Sequence, residues 1–108
     1  MQLLSSLTNT VAAAGDTTLI AAPGVGLRVV ASEVSFQNEG ASDVTVLVKN
    51  GATTIRRFFL KVGAPPTVIV LPTGKEWRLS ANSAFVLNLS AAIAVGYNIG
   101  YNTEAIII

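Results

Sequence analysis

Val44-Thr45-Val46-Leu47-Val48-Lys49-Asn50-Gly51 decides the fold class. Successive side chains of an extended chain point to opposite sides, so this run sets Val44, Val46 and Val48 on one face of a strand. A second run, Thr53 to Val62, follows at once. Asn-Gly between two such runs is a strong hairpin signal, because both residues tolerate φ > 0.

The same logic extends in both directions. Toward the C-terminus, Gly63-Ala64-Pro65-Pro66 interrupts the ladder, since proline supplies no N–H. Thr67 to Leu71 is a short β-branched strand closed by Pro72-Thr73-Gly74, and Glu76 to Leu79 is a short edge strand. Ala84 to Ser90 puts Phe85, Leu87 and Leu89 on one face. Ile93 to Asn102 alternates Ile93, Val95, Tyr97, Ile99 and Tyr101 with Ala94, Gly96, Asn98, Gly100 and Asn102. Toward the N-terminus, the turn cluster Asn38 to Asp43 precedes the hairpin. Before it runs a strand from Leu27 to about Gln37, with Val30, Val34 and Phe36 on one face. Pro23-Gly24-Val25-Gly26 separates that strand from Thr17 to Ala22. About eight short strands at a spacing of roughly 8–12 residues predict an all-β chain: a single antiparallel sandwich of jelly-roll or immunoglobulin-like type. The missing Cys–Trp–Cys pattern of immunoglobulin domains favours the jelly roll. The division expected is an N-terminal arm over 1–10, a sandwich over 11–104 and an apolar tail over 105–108.

Composition narrows the function. The 108 residues carry a formal charge of +1, 51% hydrophobic and only 12% charged residues, and neither Cys nor His. Disulfide staples, Cys or His metal sites, a Cys nucleophile and a His general base are therefore excluded. Near-zero net charge makes no case for nucleic acid or an anionic membrane as partner. No apolar run approaches the ~20 residues of a spanning helix, and the N-terminal stretch lacks the basic residue and long apolar core of a signal peptide. The lack of cysteine fits folding in a reducing cytosol. The charged fraction is about half the ~25% of ordinary soluble domains, which implies surface reserved for contact with partners.

The strands say where that surface lies. In a free-standing sandwich each strand alternates apolar-in and polar-out. Thr53 to Val62 instead has Phe58, Leu60 and Val62 on one face and Ile55 and Phe59 on the other. Thr67 to Leu71 opposes Val68 and Val70 to Ile69 and Leu71. The second face of Ile93 to Asn102 carries only Ala, Gly and Asn, which admits close approach of another backbone or permits a bend. Gly96, Asn98, Gly100, Phe59 and Ile69 are thus the expected subunit-interface residues.

Reactive chemistry is sparse. Asp16, Glu39 and Asp43 fall in turns, and Glu39 and Asp43 lack the DxDxDG-like pattern of a calcium loop. No GxSxG occurs, and Gly24-Val25-Gly26 is not a phosphate loop. No catalytic residue, metal or cofactor is expected. Arg57 and Lys61 share a face with Phe59, which suits either contact with an acidic partner surface or an edge strand guarded by charge. Lys75-Glu76-Trp77-Arg78 holds the sole Trp, which either stacks on a sugar or base or packs at a sandwich margin. Asn88-Leu89-Ser90 matches a glycosylation sequon without an export signal to accompany it.

One stretch resembles a known group. Gly63-Ala64-Pro65-Pro66 through Leu71-Pro72-Thr73-Gly74, then Trp77, Asn82 and Phe85 to Ala92, into Val95-Gly96-Tyr97-Asn98-Ile99-Gly100-Tyr101, is similar to the second half of small virion proteins of tailed bacteriophages. These include capsid decoration (cement) proteins with a jelly roll of tumour-necrosis-factor-like type. The wording covers about half the chain and the strand layout the rest. The resemblance implies a non-enzymatic homotrimer on the outside of a capsid, clamping neighbouring major capsid protein subunits, often through terminal arms. On that reading Leu3, Leu4, Leu7, Ile106, Ile107 and Ile108 are the expected capsid contacts. A fibre-tip or lectin-like module that binds host glycan, or a minor neck or tail component, is the alternative.

Overall fold

The computed structural model of the chain describes residues 5–106. Among them are nine strands: β1 (Ser5–Val11), β2 (Gly15–Ile20), β3 (Leu27–Asn38), β4 (Val44–Asn50), β5 (Thr53–Leu60), β6 (Thr67–Val70), β7 (Trp77–Arg78), β8 (Phe85–Leu89) and β9 (Val95–Ala105). They form two antiparallel sheets, one in the order β1-β9-β3-β6 with β7 also on β3, the other in the order β2-β8-β4-β5. The short β6 and β7 pair in line along β3, with Pro72-Thr73-Gly74 between them, so they occupy one strand position. Counted that way, the first position pairs with the last, the second with the next to last, and so inward to the β4–β5 hairpin. This nested order is that of a jelly roll. The expected fold class therefore stands.

Core packing follows the period-two pattern. Val44, Val46 and Val48 from β4 and Phe85, Leu87 and Leu89 from β8 are fully buried against Val34, Phe36, Val95, Tyr97 and Ile99 of the other sheet. Each such side chain contributes about 1.5–3 kcal/mol by leaving water. Phe58 joins from β5, its ring centroid 5.6 Å from that of Phe36.

Three local expectations need correction. A register shift at Ser32, between Ala31 and Glu33, changes the phase of β3. Val29 and Ala31 therefore reach the core together with Val34 and Phe36, while Val30 points to the other side of the sheet, where it too is buried, at 3% exposure. An unbroken strand would have kept Val30 with Val34, and one extra residue reverses that. The β4–β5 turn lies one residue later than Asn50-Gly51. Gly51 takes φ +61° and Ala52 follows, so Gly occupies the first central position, as in a type II′ turn. Asn50 instead uses its side chain: its Nδ2 donates to Ser80 Oγ at 2.9 Å and its Oδ1 accepts from Ser80 N at 3.2 Å. Finally, the arm expected over 1–10 is, from Ser5 onward, an edge strand in antiparallel register with β9. Only Leu7 and Val11 mark its inner side, too few apolar positions to show alternation in the sequence.

Candidate functional site

The two outer sheet faces carry the side chains that the core does not claim. On the β1-β9-β3-β6 face, three rows run across the strands: Thr10, Gly96 and Gln37; Thr8, Asn98 and Ser35; Ser6, Gly100 and Glu33. Thr8 Oγ1 donates to Asn98 Oδ1 at 2.6 Å, and Asn98 Nδ2 donates to Ser35 Oγ at 3.2 Å. Thr10 Oγ1 donates to Glu39 Oε1 at 3.1 Å. A groove of about 200 Å³ of mixed lining results, with Thr8, Thr10, Gln37, Glu39 and Asn98 beside Pro66 and Tyr97. β6 carries this face to the sheet edge, with Val68 opposite Ser35 and Val70 opposite Glu33. These valines are 59% and 70% exposed.

Farther along the same face the charges are matched internally. Arg28 Nε donates to Glu104 Oε1 at 2.7 Å, and Arg78 Nε lies 3.5 Å from the same oxygen. Arg78 also lies 3.4 Å from Glu76. Glu76 is held below the usual carboxylate range by backbone hydrogen bonds, Gly74 N–H among them, and by Arg78. Glu33 and Glu39 are exposed and have no ion pair among the described residues.

The β2-β8-β4-β5 face has the opposite balance. Lys49 Nζ donates to both Asp16 oxygens at 3.0 Å, and Asn88 Nδ2 donates to Asp16 Oδ1 at 2.7 Å, which ties β2, β8 and β4 together. Those hydrogen bonds, Asn88 first and then Lys49, hold the Asp16 carboxyl below its ordinary value. Arg57 pairs across to Leu47 and Phe59 to Thr45. Phe59 is 59% exposed, and Arg57 and Lys61 are exposed with no ion pair among the described residues.

The two faces meet at the flank formed by β5, β6 and β7. Trp77 is buried there, pairs with Ala31, and is covered by the Arg56 guanidinium 5.5 Å from the ring centroid. It is a margin residue, not a stacking platform for a ligand. Asn38, at the end of β3, is the buried polar side chain of this flank. Its Nδ2 donates to Ser42 O at 2.7 Å and to Leu60 O at 3.1 Å, and its Oδ1 accepts from Gly40 N at 2.9 Å. It anchors the β3–β4 loop to the end of β5. The sequence placed Asn38 in a turn cluster, with no signal that it would be buried.

The expected interface residues separate into two groups. Gly96, Asn98 and Gly100 lie together on the outer face of β9, and Phe59 faces outward on β5. Ile69 does not join them. It pairs with the core residue Val34 and packs inward, so Val68 and Val70 are the outward pair of β6. Gly96 also has an intrachain neighbour, the Glu39 carboxylate, where a second backbone was expected. Of the expected capsid contacts, Leu7 pairs with Ile99 and packs against the core. Ile106 is half-buried, its N–H donating to Gly26 O at 2.9 Å. Leu3, Leu4, Ile107 and Ile108 lie outside the described residues.

No protein-family profile and no curated protein sequence matches the chain. Among solved structures it is similar to a Bacillus endospore appendage, described as belonging to a novel family of disulfide-linked pili. The likeness has a TM-score of 0.51 at 15% identity and covers 98% of this chain and 93% of that one. At that identity it speaks for the fold. This chain contains no cysteine, so disulfide linkage does not carry over.

Proposed function

We propose that this chain is a non-enzymatic structural subunit that works by assembling with copies of itself and with a larger shell. Its specific form is a homotrimeric protein on the outer surface of a bacteriophage capsid, bound across neighbouring major capsid subunits. One observation carries the assembly reading. Among the described residues the exposed large apolar side chains are Phe59 and Val62 at the end of β5, Val68 and Val70 on β6, and Val25. The first four stand on or beside the two edge strands that border one flank, Phe59 on one outer face and the β6 valines on the other. Scattered exposed apolar residues are ordinary, but a gathered set marks a contact surface. A standard interface buries about 800 Å² per partner, and many symmetry-related copies on a shell multiply its effect through avidity. The capsid location rests on the resemblance of Gly63 to Tyr101 to phage virion proteins.

The test is to mix the purified protein with expanded, undecorated phage capsids and image them. Ordered density at three-fold or quasi-three-fold positions is the expected result, and bare shells overturn the capsid location. A second reading, recognition of host glycan, draws on the groove beside β9, where hydroxyls, amides and the Glu39 carboxylate stand with Pro66 and Tyr97. Bare shells together with saturable glycan binding, lost in Asn98→Ala, favour it.

A further inference from the structure

The two outer faces carry opposite unmatched charge, each beside exposed apolar side chains. Glu33 and Glu39 stand on the β1-β9-β3-β6 face next to Val68 and Val70. Arg57 stands on the β2-β8-β4-β5 face next to Phe59, and Lys61 follows at the end of β5. Of the other four acids, Asp16, Glu76 and Glu104 are answered within the chain by Lys49, Arg28 and Arg78. Asp43, exposed and without an ion pair among the described residues, accepts the Val62 N–H at 2.9 Å. Arg56 and Lys75 are also exposed without an ion pair among the described residues, but beside the outward apolar side chains Glu33 and Glu39 on one face and Arg57 and Lys61 on the other are of opposite sign.

We propose that the acidic outer face of one copy docks on the basic outer face of the next, Glu33 and Glu39 facing Arg57 and Lys61, with Val68 and Val70 against Phe59. This deepens the assembly reading above and rests on it. Like charges directly apposed cost several kcal/mol, so a contact of either face with itself is disfavoured and the two faces select each other. The contact is heterologous: each copy offers one face and receives on the other. Such a contact closes into a ring when its rotation permits and otherwise grows into a filament. Area is sufficient. The molecule measures 46 × 24 × 19 Å, so a sheet face can supply the roughly 800 Å² per partner of a standard interface.

Charge exchange tests the pairing. Glu33→Lys with Glu39→Lys leaves both faces basic, and Arg57→Glu with Lys61→Glu leaves both acidic. Each pair is expected to weaken self-association by about a hundredfold or more in sedimentation velocity. The protein carrying all four changes restores the match and is expected to return to wild-type association. Circular dichroism and melting temperature check folding. If a pair fails to fold, Glu33→Lys and Arg57→Glu, alone and combined, make the same comparison. Association that survives every reversal overturns the face-to-face contact while leaving an assembling subunit in place. Loss without recovery in the four-fold variant overturns the pairing of these faces. A wild-type chain that stays monomeric overturns it as well, and shell binding then decides the capsid reading separately.

Discussion

The Glu39 carboxylate occupies the space where a side chain on Gly96 would stand. A Cβ placed on Gly96 falls 2.8 Å from Glu39 Cδ and Oε1, closer than real Cβ contacts allow. Glycine in a strand is costly, and here it makes room for a loop carboxylate to lie over β9 and accept the Thr10 hydroxyl. Gly96→Ala gains about 0.5–1 kcal/mol from the better strand residue and loses an exposed hydrogen bond of similar size. Its stability in urea should stay within about 1 kcal/mol of wild type, with Glu39 turned away from Thr10. A much larger loss would show that the Glu39 position is rigid and that the groove is more than a surface feature.

Asn38→Ala should be far more damaging. The change removes a side chain that serves Ser42 O, Leu60 O and Gly40 N, and leaves those groups to find water beside the flank. A loss of about 2–4 kcal/mol in urea unfolding is expected. Loosening at the start of β4 and the end of β5 should appear in amide exchange before global unfolding.

Trp77 is the sole Trp and so reports on its own cover. Arg56→Ala removes the guanidinium over the ring and opens the flank between β5 and β7. The emission should shift to longer wavelength and iodide quenching should rise, with a stability loss of about 0.5–1 kcal/mol. Unchanged emission would mean that the sheets alone shield the indole.

The acid limb of stability should involve Asp16 and Glu76. Both carboxyls have folded pKa values lowered from the ordinary 3.8 and 4.5. The unfolded chain therefore binds more protons in this range, and stability rises with pH through it. The contribution is fully present above about pH 4.5 and is lost as pH falls below the ordinary values toward the lowered ones. Asp16→Asn should flatten that limb in a series of melts from pH 6 downward, by removing one of the two groups. An unaltered slope would place the acid response elsewhere.

Much of this was legible in the chain because period-two alternation leaves so little choice of face. The β4 valines, Phe85, Leu87 and Leu89 of β8, and Val95, Tyr97 and Ile99 of β9 all reach the core as their spacing requires. Alternation fails where a single residue breaks phase, as at Ser32, and where polar residues fill an edge strand, as in Ser5–Val11. It also cannot say which side of a two-sided apolar strand faces inward. For β6 that depended on Val34 opposite Ile69, a pairing between strands far apart in sequence. Of the residues expected at a subunit interface, Phe59 does face outward, whereas Ile69 packs inward and Val68 and Val70 take the outer side of β6. The charge asymmetry of the two faces was half visible in Arg57 and Lys61, but Glu33 and Glu39 join one surface only once β3 lies beside β9.

On the proposed reading this domain is a subunit that works assembled. Its most direct test is the mass of the purified chain in solution, measured by sedimentation equilibrium over a concentration series at low and high salt. The prediction is a species at a multiple of 11.2 kDa, three-fold for the trimer, that dissociates as salt screens the facing charges. A single 11.2 kDa species throughout the series would contradict it.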